Sequence, residues 1–340
     1  MSSTPSERPS SKRTTTQRVP NFLKENPKKQ CITDDKNIGP FIKINKRIGT
    51  DSSYGEAFSA CYPQKTCKNK IAIKKIPLTA REYAYENPLK SLKILNESEI
   101  WAELYFSRLA STLNEQKIVP HVPRYYTHYI CDTCLFENEK ISKDIRRCII
   151  LPNDLADGDL KYFLTNTHYT AKTLTRGYIQ IFLGILAINL YFKMDHNDLH
   201  YGNVLFKKVE NGVNRYTLDS VTYYIPNDGL LFYLWDFGFA TITDFIEPKI
   251  FRGRVKKGND YSRVTSMLTG GKEYDTPTGK ETSEARDKTY EFLSVLVKTQ
   301  DKLQMMKYLL SSASVPYTQD LNVVGRFNLD KNVKIRNQPK

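Results

Sequence analysis

The octet His196-Asn-Asp198-Leu-His200-Tyr-Gly-Asn203, followed further on by Trp235-Asp236-Phe-Gly238, constrains this chain more than any other feature. An acid, an amide five residues later and a second acid after an apolar stretch are the groups needed to handle a phosphoryl group. One carboxylate accepts the proton of an attacking hydroxyl, while an amide and a second carboxylate hold the cations that neutralise phosphate charge. Either short motif alone would be an ordinary turn between hydrophobic runs. Their order and their apolar setting make them one site: Ile179 to Phe192 reads as a buried helix entering the loop, and Val204-Leu-Phe206 and Leu230 to Trp235 read as strands beside it.

Upstream, the pattern changes to short strands: Phe41 to Ile48, Glu56 to Tyr62 and Lys70 to Ile76 predict an antiparallel sheet. Between the first two runs, Ile48-Gly49-Thr-Asp51-Ser52-Ser53-Tyr54-Gly55 forms a loop whose backbone amides would cover phosphates. Strand alternation turns Ala72 and Lys74 to one face, with Lys74 placed to grip phosphate and Ala72 beside the nucleotide. The glutamate partner of Lys74 is expected on the next helix. Glu97, with Ile100, Trp101 and Leu104 at helical spacing, is the first candidate and Glu99 is its competitor; the sequence leaves both open.

Arg147 to Leu151 reads as a buried strand and residues 152 to 159 as a turn before a helix near Leu160. This connection suits a hinge that meets an adenine edge. Asp159 stands where it would accept from a ribose hydroxyl or simply cap the helix. Asp260 is placed to anchor the catalytic loop or to cap a helix, and residues beyond Tyr290 read as closing helices.

In this order the motifs resemble the eukaryotic protein kinase superfamily from about Phe41 to Gly238, and within it haspin and haspin-like kinases, several of which occur in large DNA viruses. The finer resemblance rests on His200 and Gly202 within the loop, on a hairpin-like insertion from Lys207 to Tyr233, and on the lack of Ala-Pro-Glu after Gly238. It implies an α+β, bilobal protein-kinase-like fold: a basic disordered tail over 1–35, an N-lobe over 36–151 with an antiparallel sheet and one main helix, and a mainly helical C-lobe over 152–340. The implied donor is ATP with magnesium, manganese being an acceptable substitute. Asp198 would be the catalytic base, with Lys74 and His200 completing the catalytic set. Ile48, Gly49, Gly55, Ala72, Lys74, Glu97, Glu99 and Asp159 would surround the nucleotide, and Asn203 and Asp236 would hold the metal.

The loop departs from the common kinase pattern at two places. Asn197 replaces the arginine that pairs with a phosphorylated activation loop, so constitutive activity is expected. His200 replaces a lysine that steadies the transferred phosphate. The glycine loop carries Asp51 or Ser52 in place of its middle glycine, which brings Ser52 or Ser53 into play. The expected acceptor is a protein serine or threonine. A small-molecule kinase of the aminoglycoside or choline type and a nucleotide-binding pseudokinase scaffold are the rivals; the intact Asp236-Phe-Gly238 weighs against the first and the complete set of Lys74, Asp198, Asn203 and Asp236 against the second.

Lys and Arg exceed Asp and Glu by 14, which favours acidic partners, and the tail is a candidate arm for nucleic acid or chromatin. No apolar stretch reads as long enough to span a bilayer, and an intracellular setting, nucleus or cytoplasm of a cell or host, or a virion, is expected. The six cysteines show no disulfide framework, so reduced thiols are expected. Cys131-Asp-Thr-Cys134 has the spacing of half a zinc knuckle, with Cys61 and Cys67 as the other half, but a plain hairpin turn is the preferred reading.

Overall fold

A computed structural model describes residues 33–34, 37–38, 42–52, 55–62, 65–243, 246, 260–269 and 279–330. The first strands are β1 (Thr33–Asp34), β2 (Asn37–Ile38), β3 (Ile42–Ser52), β4 (Gly55–Tyr62) and β5 (Asn69–Leu78). With β6 (Tyr129–Cys131) and β7 (Arg147–Asp154) they form an antiparallel seven-stranded sheet in the order β1-β2-β3-β4-β5-β7-β6. Thr33–Asp34 pairs with Asn37–Ile38, and the rest of the tail expected over 1–35 lies outside the described residues.

Strand β5 is buried along both faces from Ile71 onward, and Lys74 is buried with its apolar neighbours. Ile71 and Ile73 join a small core with Ile42, Phe58, Tyr126 and Ile150, while Ile76 and Leu78 belong to the main core. The strand expected to stop at Leu151 runs on to Asp154, since Pro152 and Asn153 keep pairing with Ile73 and Ala72.

Short helices α1 (Ala80–Tyr83) and α2 (Leu92–Glu97) precede the long helix α3 (Glu99–Glu115). Thr79 and Glu82 make a capping box at α1, and Ser98 caps α3 by accepting from the Trp101 amide at 3.4 Å. These caps divide the segment at Ser98. After β7 come β8 (Gly158–Asp159), α4 (Leu160–Asn166) and α5 (Ala171–Phe192).

Helix α5 is buried on nearly every side. By length and composition it could cross a membrane, contrary to the expectation that no stretch qualifies. Its most apolar window is 78 % buried inside the protein, which fits the core helix of a globular fold. At Gly177 an added Cβ would lie 2.8 Å from the Phe232 ring, so glycine lets the neighbouring strand lie close.

Beyond α5 lie β9 (Met194–Asp195), β10 (Val204–Lys208), β11 (Val213–Leu218), β12 (Val221–Pro226), β13 (Leu230–Leu234) and β14 (Thr241–Ile242). Strands β10 and β13 pair antiparallel and bracket the β11–β12 hairpin, as the insertion predicts. Helices α6 (Asp260–Ser266), α7 (Gly279–Leu296) and α8 (Lys302–Ala313) follow, and α7 and α8 pack on α5. A strand not anticipated from sequence, β15 (Val323–Asn328), returns to pair parallel with β11. This mixed arrangement, an antiparallel N-terminal sheet followed by several helices, fits a kinase-like fold.

Candidate active site

A cleft of about 710 Å³ brings together Ile48, Gly49, Gly55, Lys74, Glu97, Glu99, Glu103, Asp198, His200, Asn203 and Asp236. Gly49 has φ +78°, and Gly55 has φ +148° with space for a Cβ only 2.6 Å from the Lys75 carbonyl oxygen. A side chain at Gly55 would collide with β5, so glycine is required there. Ala72 and Asp159 are not among the residues lining this cleft. Asp159 instead caps α4, its carboxylate accepting from the Tyr162 amide at 2.7 Å.

The Lys74 ammonium lies 2.6 Å from Glu103 Oε1 and 2.8 Å from Asp236 Oδ1. Neither Glu97 nor Glu99 is its partner. Glu97 ends α2 and pairs with Arg81 at 3.2 Å, and Glu99 opens α3 one turn before Glu103. The break at Ser98 moves the functional face one turn along the helix. The missed signal was the serine cap: once Ser98 starts a helix, Glu103 shares a face with Glu99 while sitting among the buried Trp101, Ala102, Leu104 and Phe106.

Electrostatics divide the two carboxylates. Burial alone would lower the Lys74 pKa, but the charges of Asp236 and Glu103 outweigh it and hold the ammonium firmly protonated. Burial would raise Asp236, yet Lys74 overrides it and keeps this carboxylate below its usual range. Glu103 moves the other way, raised by burial that Lys74 only partly opposes. Asp236 therefore carries the negative charge most securely.

The loop from His196 to Asn203 is fixed from below. Asp260, buried at the start of α6, accepts from the backbone amides of His196 at 2.8 Å and Asn197 at 3.0 Å. Of its two expected roles, the structure displays the anchor. His196 Nε2 donates to the Trp235 carbonyl at 2.8 Å, since a carbonyl can only accept, and its ring lies against Phe237. Asn197 takes a left-handed backbone, φ 65°, and its amide donates to Thr241 Oγ1 at 2.9 Å and the Phe239 carbonyl at 3.2 Å. The loop and the segment after Asp236 are thus joined by hydrogen bonds.

Asn203 reaches back across the loop, its amide donating to the Asp198 carbonyl at 2.8 Å and to Asp198 Oδ2 at 3.1 Å. This leaves the amide oxygen as the ligand atom for a cation. Asp198 is raised by burial, against the nearby imidazoles of His200 and His196, which favours proton acceptance. His200 is exposed, with Nε2 3.8 Å from Asp198 Oδ2 and Nδ1 accepting from the Gly202 amide at 3.1 Å. Oxygen donors from Asp198, Asn203 and Asp236 make a hard set that suits magnesium rather than a thiophilic metal.

Two further polar groups, outside the cleft lining, were not singled out in the sequence. Arg124 grips Asp154 at the end of β7 through two bonds of 2.8 and 3.0 Å, and Tyr126 donates to the same carboxylate at 2.6 Å. His121 is fully buried: Nδ1 donates to the Phe232 carbonyl at 2.9 Å, so Nε2 accepts from the Tyr216 hydroxyl at 2.8 Å. That imidazole ties the strand leading to Asp236 to the inserted hairpin.

The cysteines depart from expectation. Cys61 and Cys67 are joined, their Cα atoms 4.9 Å apart across the turn between β4 and β5, and Cys134 is joined to Cys148. The reduced-thiol expectation came from irregular spacing along the chain, which carries no information about approach across a hairpin. Cys31 lies outside the described residues.

No protein-family model matches the chain. It is 27 % identical over 228 residues to a probable serine/threonine-protein kinase of Invertebrate iridescent virus 6, covering 65 % of this chain and 40 % of that protein. It is 24 % identical over 261 residues to the serine/threonine-protein kinase haspin of Mus musculus, covering 73 % of this chain and 32 % of haspin. Over 120 residues it is 30 % identical to a putative serine/threonine-protein kinase of Acanthamoeba polyphaga mimivirus, covering 32 % of this chain and 26 % of that protein. The chain thus spans less than half the length of these relatives.

Proposed function

Since the chain belongs to the haspin-like protein kinases, we propose that it transfers the γ-phosphoryl group of ATP to a serine or threonine hydroxyl of a protein. The observation that carries this reading is the convergence of Lys74, Glu103, Asp198, Asn203 and Asp236, drawn from four separate stretches of chain, on one cleft.

Asp198 accepts the hydroxyl proton as the oxygen attacks, and its burial strengthens it as a base. Lys74 holds nucleotide phosphate oxygens, and Glu103 fixes where its ammonium points. Asn203 and Asp236 would hold magnesium, with manganese as a substitute, and the bound ion would neutralise charge on the phosphates. Asn203 also holds the Asp198 carboxylate in place. His200, beside Asp198 and open to solvent, orders the loop through the Gly202 amide.

Activity is constitutive in this proposal. The amide of Asn197 already fastens the loop to Phe239 and Thr241, so no phosphate is needed for that contact. Equal rates before and after phosphatase treatment are expected, and a large loss on treatment would refute constitutive action.

Glu82, Glu97 and Glu99 line the same cleft. They favour an acceptor segment bearing basic residues, despite the positive charge of the chain as a whole. A peptide array with ATP and magnesium tests both acceptor class and charge preference. Labelling of serine or threonine peptides, strongest among basic ones, is expected; phosphorylation confined to a metabolite mixture would replace the protein-kinase reading. On this reading the enzyme works inside a cell, in nucleus or cytoplasm of a cell or host, or in a virion, and a fluorescent fusion would check the cellular part.

A further inference from the structure

Three cysteines converge in the N-terminal sheet, outside the cleft. Cys131 ends β6, Cys148 lies opposite it on β7, and Cys134 follows a two-residue turn. Their sulfurs all lie within 4.8 Å of one another, and the three residues are 0, 0 and 3 % exposed respectively. The Cys134 amide donates to the Arg146 carbonyl at 2.5 Å, folding the turn back over the strand that carries Cys148. The zinc-knuckle spacing of Cys131 and Cys134 thus finds its third sulfur in Cys148, not in Cys61 or Cys67.

In the structure Cys134 and Cys148 form a disulfide with Cα atoms 6.0 Å apart, and Cys131 is oxidised as well. Reduction gives the cluster a second chemistry. Zinc binds thiolate at about 2.3 Å, so tetrahedral ligand sulfurs stand roughly 3.8 Å apart. Sulfurs already within 4.8 Å reach that spacing through side-chain adjustment. The walls are apolar, with Ile42, Phe58, Tyr126 and Ile150 in the same core, so thiolates formed there need a cation beside them. Sulfur donors select a thiophilic ion over magnesium.

We propose that Cys131, Cys134 and Cys148 bind a zinc ion when reduced. A thiol or phosphine reductant supplies two electrons to the Cys134–Cys148 bond and two more to the disulfide that holds Cys131, and with four protons these become thiols, three of them in the cluster; zinc then displaces the protons of those three, with a further donor completing the tetrahedron. The ion would clamp β6 to β7, whose Leu151 lies opposite Lys74 on β5. This site is independent of the kinase reading.

The test uses the full chain, purified with a phosphine reductant, given zinc and passed over a chelating resin before metal analysis. About one zinc per chain is expected, falling below about a fifth of that in the Cys134→Ser/Cys148→Ser double variant and remaining in Cys61→Ser/Cys67→Ser. Because serine at buried Cys148 could disturb folding, cobalt titration of the unaltered protein gives a second readout. A saturable thiolate-to-cobalt charge-transfer band, abolished by zinc, is expected. Reduced protein with neither zinc nor that band, or a folded double variant that keeps its zinc, overturns the proposal.

Discussion

Glu103 accepts from the Lys74 ammonium at 2.6 Å, with only 7 and 9 % of the two side chains exposed. A pair so enclosed positions the lysine because few other arrangements satisfy both charges. Removing one partner of a buried ion pair costs about 3–5 kcal/mol, and the remaining charge must find another contact. For Lys74 that contact is Asp236, 2.8 Å away. Glu103→Gln is therefore expected to cut kcat/KM for ATP by about tenfold or more, equivalent to ~1.4 kcal/mol. Glu97→Gln loses the ion pair with the exposed Arg81 but leaves both partners of Lys74 in place, so kcat/KM for ATP should stay within about twofold of wild type, whatever the change in preference for basic acceptors. Steady-state kinetics on both variants checks the contrast.

Asp260 supports the loop through two backbone amides that have no side chain of their own to replace it. Asp260→Ala leaves both donors buried and unpaired, at about 1–3 kcal/mol each. Denaturant unfolding should show a loss of that order. In the folded fraction, kcat is expected to fall more than the KM for ATP rises, because Asp198 is displaced while Lys74 is untouched.

His121 links acid stability to the fold. Burial pushes its pKa down to about 3, against the opposing bond from Phe232, so the folded protein holds it neutral. Between that value and the unfolded pKa of about 6.5, the unfolded chain binds the extra proton, and stability falls as pH drops. Above pH ~6.5 the contribution is constant. Lowering pH from 6.5 to 5 should cost about 2 kcal/mol from this residue alone, and His121→Gln should flatten that part of the profile. Urea unfolding at the two pH values measures it.

Much of this site was legible in the sequence because its chemistry is local. The octet, Asp236-Phe-Gly238 and Lys74 are each recognisable within a few residues, and the structure gathers Lys74, Asp198, Asn203 and Asp236 in one cleft. The inserted hairpin and the buried α5 were legible for a similar reason, since alternation and apolar runs report local burial. What failed depended on distant geometry. Glu103 is selected by where α3 begins relative to β5, and Cys148 meets Cys131 only through strand register. His121 gave no local signal, because its partners Phe232 and Tyr216 lie about a hundred residues away. Strand β15 closes on β11 in the same long-range way.

Transfer of γ-labelled phosphate from ATP to a serine/threonine peptide array, by wild type and Asp198→Asn side by side, tests the central claim most directly. Asn keeps the size of Asp198 but cannot accept the proton, so a fall of about 10²-fold or more is expected with nucleotide binding retained. Equal labelling by the two proteins, or no labelling by a wild type that binds ATP, would contradict it.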